Sequence, residues 1–270
     1  MSGDPLLPVA TKPKSKLETT RDAFLGGRVL IAQPKTGHRA GVDAVLLAAS
    51  IGVGDAPAQR IVDVGAGPGT VGLLIAQRLQ LAHVTGVEIE PQLVALARKN
   101  VTENGFGARV KIVEADVCLP FQELEEAGFK ANAYDQVVSN PPFYDEDRCR
   151  TSDNDLKRRA NSMVAGGLER WVKFMTTVTR AGGMASIIYP ADRMGELLEI
   201  LSGRFGALEV FPIFPRIGVP ARRVIVRGRK GSRAPLKIYQ GLVLHEADGK
   251  FAREAKEILS LGAALDFERI

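Results

Sequence analysis

The chain has 270 residues, 45% hydrophobic and 25% charged, with a formal net charge of +5. That balance excludes a fibrous or disordered protein and leaves a globular one, long enough for a full central sheet and its covering helices. Cys118 and Cys149 are the only cysteines, too few for a disulfide framework and not at metal-ligand spacing; with no signal peptide and no bilayer-length apolar run, a cytoplasmic, metal-free protein is expected.

Residues 1–18 are rich in Pro, Lys, Ser and Thr and predict a mobile tail. Residues 22–25 and 28–33, joined by Gly26 and Gly27, predict a hairpin, and 43–49 a short apolar helix. Residues 19–50 thus read as an N-terminal hairpin-plus-helix element ahead of a main domain over 51–270. That domain opens with a strand at 60–64, a turn at 65–69 (GAGPG) and a helix from 70 to about 80. A strand at 84–88, a helix from Pro91 to about 104, a strand at 110–114 and a short helix at 121–128 follow. The next strand, 134–138, runs into Ser139-Asn140-Pro141-Pro142-Phe143. This alternation predicts an α/β fold of parallel strands with right-handed crossovers. Beyond it come a helix at 171–180, a strand at 184–189 and a helix at 192–203. Antiparallel strands at 207–214, 222–229 and 236–244 and a terminal helix after Gly249 complete the chain.

A glycine turn after the first strand of such a sheet lets a ligand approach bare backbone. A dinucleotide fingerprint starting at Gly65 needs glycine or alanine at position 70, where this chain has Thr70. Asp63, inside the strand, would repel a pyrophosphate and suits the ammonium of a methionine moiety; the other reading is an acid accepting from nearby turn N–H groups. These two residues disfavour a nicotinamide cofactor and favour S-adenosylmethionine. Glu88 ends the second strand, where an acid can take both hydroxyls of a ribose. Asp116, after the third, can accept an adenine amine or cap the helix near Phe121.

At the end of the fourth strand, Pro141 and Pro142 lack N–H groups and present carbonyls without competing donors. The Asn140 side chain adds a second acceptor, and Phe143 a flat apolar face. This is a receptor for a planar group carrying an NH₂; the plainer alternative is a proline-stopped strand with a buried Phe. His38, His83 and His245 are scattered and read as structural.

The segments DVGAGPG (63–69) and NPPF (140–143), with Glu88 and Asp116, resemble the class I S-adenosylmethionine-dependent methyltransferases, in the branch that methylates amino groups. GHRAGVDAVLL (37–47), Val87-Glu88, SNPPF and VIVRGRKG (224–231) resemble more narrowly the bacterial tRNA1(Val) adenine-37 methyltransferase family. The resemblance covers about residues 20 to 265. It implies a Rossmann-like, mostly parallel seven-stranded sheet with helices on both faces and an antiparallel C-terminal edge. It implies S-adenosyl-L-methionine held by Asp63, Gly65, Gly67, Gly69, Glu88 and Asp116, and catalytic roles for Asn140, Pro141 and Phe143. Members of this family often carry tyrosine where this chain has Phe143, which leaves stacking alone.

Eight basic residues and no acid lie between Arg216 and Lys237 (Arg216, Arg222, Arg223, Arg227, Arg229, Lys230, Arg233, Lys237), and Lys157-Arg158-Arg159 follows the NPPF segment. Of these, Lys157, Arg158, Arg159, Arg222, Arg223, Arg227, Arg229 and Lys230 are candidate contacts to RNA phosphates, the alternative being a solvated strand face. An adenine in tRNA is the favoured acceptor; a ribosomal guanine amine and a protein glutamine use the same pocket chemistry. A module that binds S-adenosylmethionine without catalysis would have no use for Asn140.

Overall fold

The computed structural model describes residues 17–37, 39–52, 58–142 and 167–268. The expectations for residues 1–16 of the tail and for His38, Phe143, Cys149, Lys157, Arg158 and Arg159 fall outside the described residues.

Strands β1 (Thr19–Phe24) and β2 (Val29–Pro34) form an antiparallel hairpin, and α1 (Val42–Ala49) is buried through residues 44–49. The central sheet begins with β3 (Arg60–Val64), α2 (Thr70–Arg78), β4 (His83–Glu88), α3 (Pro91–Glu103) and β5 (Val110–Glu114). It continues through α4 (Phe121–Glu126), β6 (Tyr134–Ser139), α5 (Gly167–Val178), β7 (Thr179–Pro190) and α6 (Met194–Ser202). Then come β8 (Gly206–Phe214), β9 (Arg223–Arg229), the two-residue strands β10 (Lys237–Ile238) and β11 (Leu242–Val243), and α7 (Arg253–Leu261). The strand order is β10-β8-β9-β7-β6-β3-β4-β5, with β11 also on β8. Seven long strands make the sheet; β3 to β7 are parallel, and β9 runs antiparallel between β7 and β8.

Both faces are covered, which is why the parallel strands read as near-continuous apolar runs. Ile61, Val84, Val138 and Ile225 pack under the hairpin, α1, α2, α3 and α7. Val62, Val64, Val137 and Val226 pack against α4, α5 and α6 on the other face. The order reverses between β3 and β6, so the carboxyl ends of these two neighbours flank the crevice where such sheets take ligands.

Four expectations differ from the structure by more than two residues or in direction; two of them are strands that start early, β1 at Thr19 instead of 22 and β7 at Thr179 instead of 184. The helix expected over 171–180 starts at Gly167 and stops at Val178, with Thr179 and Arg180 already in β7. It stops there because the Lys230 ammonium takes the carbonyls of Thr176 (2.6 Å) and Thr179 (2.8 Å), a cationic cap on the helix's negative end. The strand expected over 236–244 is two short pieces that run parallel to β8, not antiparallel. Antiparallel β9 ends beside the start of β8, so the chain that follows can only run alongside β8 in the same direction. Gly241 then breaks it: φ is 85°, and a Cβ there would lie 2.2 Å from the Pro212 carbonyl oxygen.

The hairpin is fastened to α3 by two asparagines one turn apart. Asn104 accepts from Leu30 N–H (2.9 Å) and donates to its carbonyl (2.8 Å). Asn100, fully buried, does the same for Ala32 at 2.9 and 3.0 Å.

Candidate active site

Residues 65–69 turn the chain from β3 into α2 and are tied to the end of β4. The amides of Gly65 and Ala66 both donate to the Val87 carbonyl at 2.9 Å, and Gly67 N–H donates to Glu88 Oε2 at 2.8 Å. A second anchor comes from Asn100, whose side chain donates to the Pro68 carbonyl at 2.8 Å. Gly65 has φ 73°, and a Cβ on it would meet Trp171 Cζ2 at 2.7 Å. Gly67 has φ 54° and open space where a Cβ would stand, so a ligand can come down onto its backbone.

Asp63 lies beneath this turn, 1% exposed, with Oδ2 accepting from Gly72 N–H at 3.0 Å. Burial pushes its carboxyl from 3.8 up to about 7, against the Gly72 hydrogen bond and with the Glu88 charge adding to the rise. Glu88 is also raised, again chiefly by burial, and its oxygens are well occupied. Oε2 accepts from Gly67, while Oε1 accepts from Ile89 and Glu90, both at 2.9 Å. A carboxylate has about four lone-pair positions, so one remains for a ligand hydroxyl, on Oε2. Asp116 Oδ1 accepts from Cys118 N–H at 2.8 Å, closing a turn after β5; α4 is N-capped by Pro120.

Asn140 follows β6 directly, and its Oδ1 is buried with no hydrogen-bond partner among the described residues. A buried acceptor left unmade costs about 1–3 kcal/mol, and such a group calls for a donor from outside. Pro141 beside it is buried and has no N–H to offer. Thr70 Oγ1, at the first residue of α2, is likewise buried and unpartnered. Trp171, which the sequence places only at the start of a helix, shapes the crevice together with Ser139 of the SNPPF segment. Trp171 Nε1–H donates to Ser139 Oγ, which donates to the Val64 carbonyl, each at 2.9 Å. This relay joins α5 to the ends of β6 and β3. Trp171 is the one tryptophan in the chain, on the apolar stripe of a helix, where packing is the ordinary explanation.

The basic stretch is divided. Arg223 pairs with Asp43 (2.9 Å) and Arg227 with Glu209 (2.6 Å), and the Arg227 guanidinium lies 3.4 Å from the Phe267 ring centre. Lys230 caps α5, and Arg229 donates to the Gly182 carbonyl at 2.8 Å. Arg222 is exposed. Among the described residues no cluster of His, Cys, Asp and Glu is placed to hold a metal, and no helix is long and apolar enough to cross a membrane.

A doubly wound sheet with a glycine turn after its first strand, an acid closing its second and an orphaned amide acceptor after its fourth defines a Rossmann-like methyltransferase. Comparison with known proteins agrees. Residues 43–169 match the family model described as Methyltransferase small domain. The chain is 28% identical to the tRNA1(Val) (adenine(37)-N6)-methyltransferase of Yersinia pestis (strain Pestoides F), covering 88% of this chain and 92% of that one. It is 31% identical to a structurally characterised predicted O-methyltransferase of Agrobacterium tumefaciens, with TM-score 0.70, covering 83% of this chain and 98% of that one. The chain belongs to the class I methyltransferase family and is an S-adenosyl-L-methionine-dependent enzyme.

Proposed function

We propose that this enzyme methylates the exocyclic amine of an adenine in tRNA. The observation that carries the reading is the buried, unpartnered Oδ1 of Asn140, next to a proline without an N–H. An amine has two hydrogens to give, and Asn140 Oδ1 with the Pro141 carbonyl offers two acceptors. The names of the relatives point the same way only in part, since one acts on an adenine nitrogen and the other is named for oxygen. A hydroxyl acceptor has one hydrogen and would leave one of these carbonyls unmet.

The residues fit the cofactor. The bare backbone at Gly67 can receive it, Glu88 Oε2 has a lone pair for a ribose hydroxyl, and Thr70 Oγ1 lacks a partner. Asp63 would face its ammonium, and Asp116 its adenine amine. When bound, S-adenosyl-L-methionine supplies an electrophilic methyl group on a sulfonium.

Adenine's amine is a poor nucleophile because its lone pair is delocalised into the ring. Accepting both amine hydrogens, Asn140 and Pro141 favour a pyramidal nitrogen and aim its lone pair along one line, while Phe143 would stack on the base. Acceleration then comes from positioning and preorganised dipoles, and the surplus proton is shed to water after transfer. No general base is needed. His83 begins β4 at the far end of the sheet, and His245 stacks on Phe251. The reaction belongs in the cytoplasm, where tRNA is at hand.

Incubation with a methyl-labelled donor and separate tRNA, rRNA and protein pools, followed by nucleoside digestion, tests the proposal. N6-methyladenosine from the tRNA pool is the expected product. Label confined to protein, to guanine or to oxygen would overturn it.

A further inference from the structure

Four of the eight basic side chains between 216 and 237 make no hydrogen bond or ion pair with another described residue: Arg216, Arg222, Arg233 and Lys237, all exposed. Their positions differ. Arg233 follows Ser232, whose carbonyl lies against Gly206 at the start of β8, and Lys237 is level with Glu209 in the register of β10 on β8. Arg216 and Arg222 instead bracket the connection from β8 to β9. Because β8 and β7 are both antiparallel to β9, β8 ends at the same edge of the sheet as β6.

Register locates this connection relative to Asn140. Ser139 is level with Ile187 on β7, and Pro190, three residues on, is level with Arg223 at the start of β9. The connection therefore ends, where it enters β9, about 10 Å beyond the end of β6 and two strand spacings, about 10 Å, to its side, and it starts one strand further out, at the end of β8. It is held at its base by Arg222 N–H to the Ile213 carbonyl and Ala191 N–H to the Arg222 carbonyl, both at 3.1 Å. Residues 216–220 are all exposed, and Ile217 at the tip is 83% exposed, the most of any large apolar residue among those described.

Ile217 is left largely uncovered between two guanidiniums that bond no other described residue, and Asp43, the acid at the base of the connection, is already paired with Arg223. The chain carries no acid from Phe211 to His245. A partner must therefore bring its own negative charge and a flat apolar surface to lie on Ile217. Single-stranded nucleic acid has both, as phosphates and unstacked bases. We propose that the β8–β9 tip, through Arg216, Ile217 and Arg222, grips the RNA loop next to the base being methylated, the isoleucine filling the gap left in the stack. This rests on the reading that the acceptor is RNA. A base must leave its stack to reach Asn140, and a wedge beside it lowers the cost of keeping it out. Arg223 and Arg227, though closest in sequence, are tied to Asp43 and Glu209 and hold the protein together instead.

The full chain is tested as Arg216→Ala/Arg222→Ala, as Ile217→Ala and as a control, Arg233→Ala/Lys237→Ala, which removes equal charge elsewhere. The first pair should raise KM for tRNA about tenfold or more and flatten the salt dependence of binding by about two charges, with affinity for the methyl donor unchanged. Ile217→Ala should raise KM without changing the salt slope. If the control weakens binding equally, or if the tip variants leave KM and salt slope unaltered while wild type methylates tRNA, the tip assignment is wrong and the RNA reading stands. If wild type methylates only protein, and the tip variants impair that, both fall.

Discussion

The side chain of Asn100 donates to the carbonyl of Pro68 while exchanging two hydrogen bonds with Ala32, so one buried residue of α3 holds both the glycine turn and the N-terminal hairpin. Replacing it with alanine would leave the Pro68 carbonyl and both polar groups of Ala32 without these partners. Asn100→Ala is expected to cost about 3 kcal/mol in urea unfolding and to weaken S-adenosyl-L-methionine binding in calorimetry. Loss of stability with unchanged donor affinity would limit Asn100 to fastening the hairpin.

Asn140→Ala removes the orphaned acceptor. Donor affinity should be retained while methyl transfer falls by about 10²-fold or more. Near-normal turnover in single-turnover assays would remove Asn140 from the mechanism.

Asp63 makes stability depend on pH in a direction opposite to most surface acids. Burial raises it from 3.8 to about 7, so between these values the folded protein holds a proton that the unfolded chain has released. Stability from this group is greatest below about pH 4, falls as pH rises to about 7 and is level above. Asp63→Asn keeps an acceptor for Gly72 and abolishes the titration. Denaturation at pH 5 and 8 should show the variant gaining on wild type by up to about 2.5 kcal/mol between the two. Donor affinity of wild type should rise through the same window as the carboxylate ionises; a flat profile would confine Asp63 to supporting the turn.

The two glycines of the turn should separate folding from binding. Gly65→Ala places a methyl against Trp171 at positive φ and should destabilise by at least about 2 kcal/mol. Gly67→Ala meets no described atom within 4 Å, so it should cost about 1 kcal/mol yet lower donor affinity tenfold or more. Equal donor binding by Gly67→Ala and wild type would place the cofactor elsewhere.

Strands β3 to β6 were legible to within a residue or two because each is a short β-branched run bounded by glycine, proline or an acid, whereas β7 starts five residues before the run at 184–189 that announces it. The same signal misread 236–244, where the direction of travel is set by where β9 ends rather than by any residue in the stretch. At the site, glycines and acids stood out by their position after strands. Asn100 did not, since its partners lie 32 and 68 residues away and periodicity counts it only as a polar position on α3. Charge was visible in the basic stretch, but partners were not: the Asp43 that neutralises Arg223 is 180 residues distant.

The asparagines on α3 have a consequence for how molecules of this enzyme meet one another. Leu30 and Ala32 direct their amides and carbonyls to Asn104 and Asn100, Pro34 has no amide, and its carbonyl accepts from Arg39 at 2.9 Å. An unprotected ribbon border of this kind invites a strand from another chain, the first step toward swapped dimers and fibrils. Here that border is already saturated by side chains of its own molecule, and a visiting strand would find nothing on it to bind.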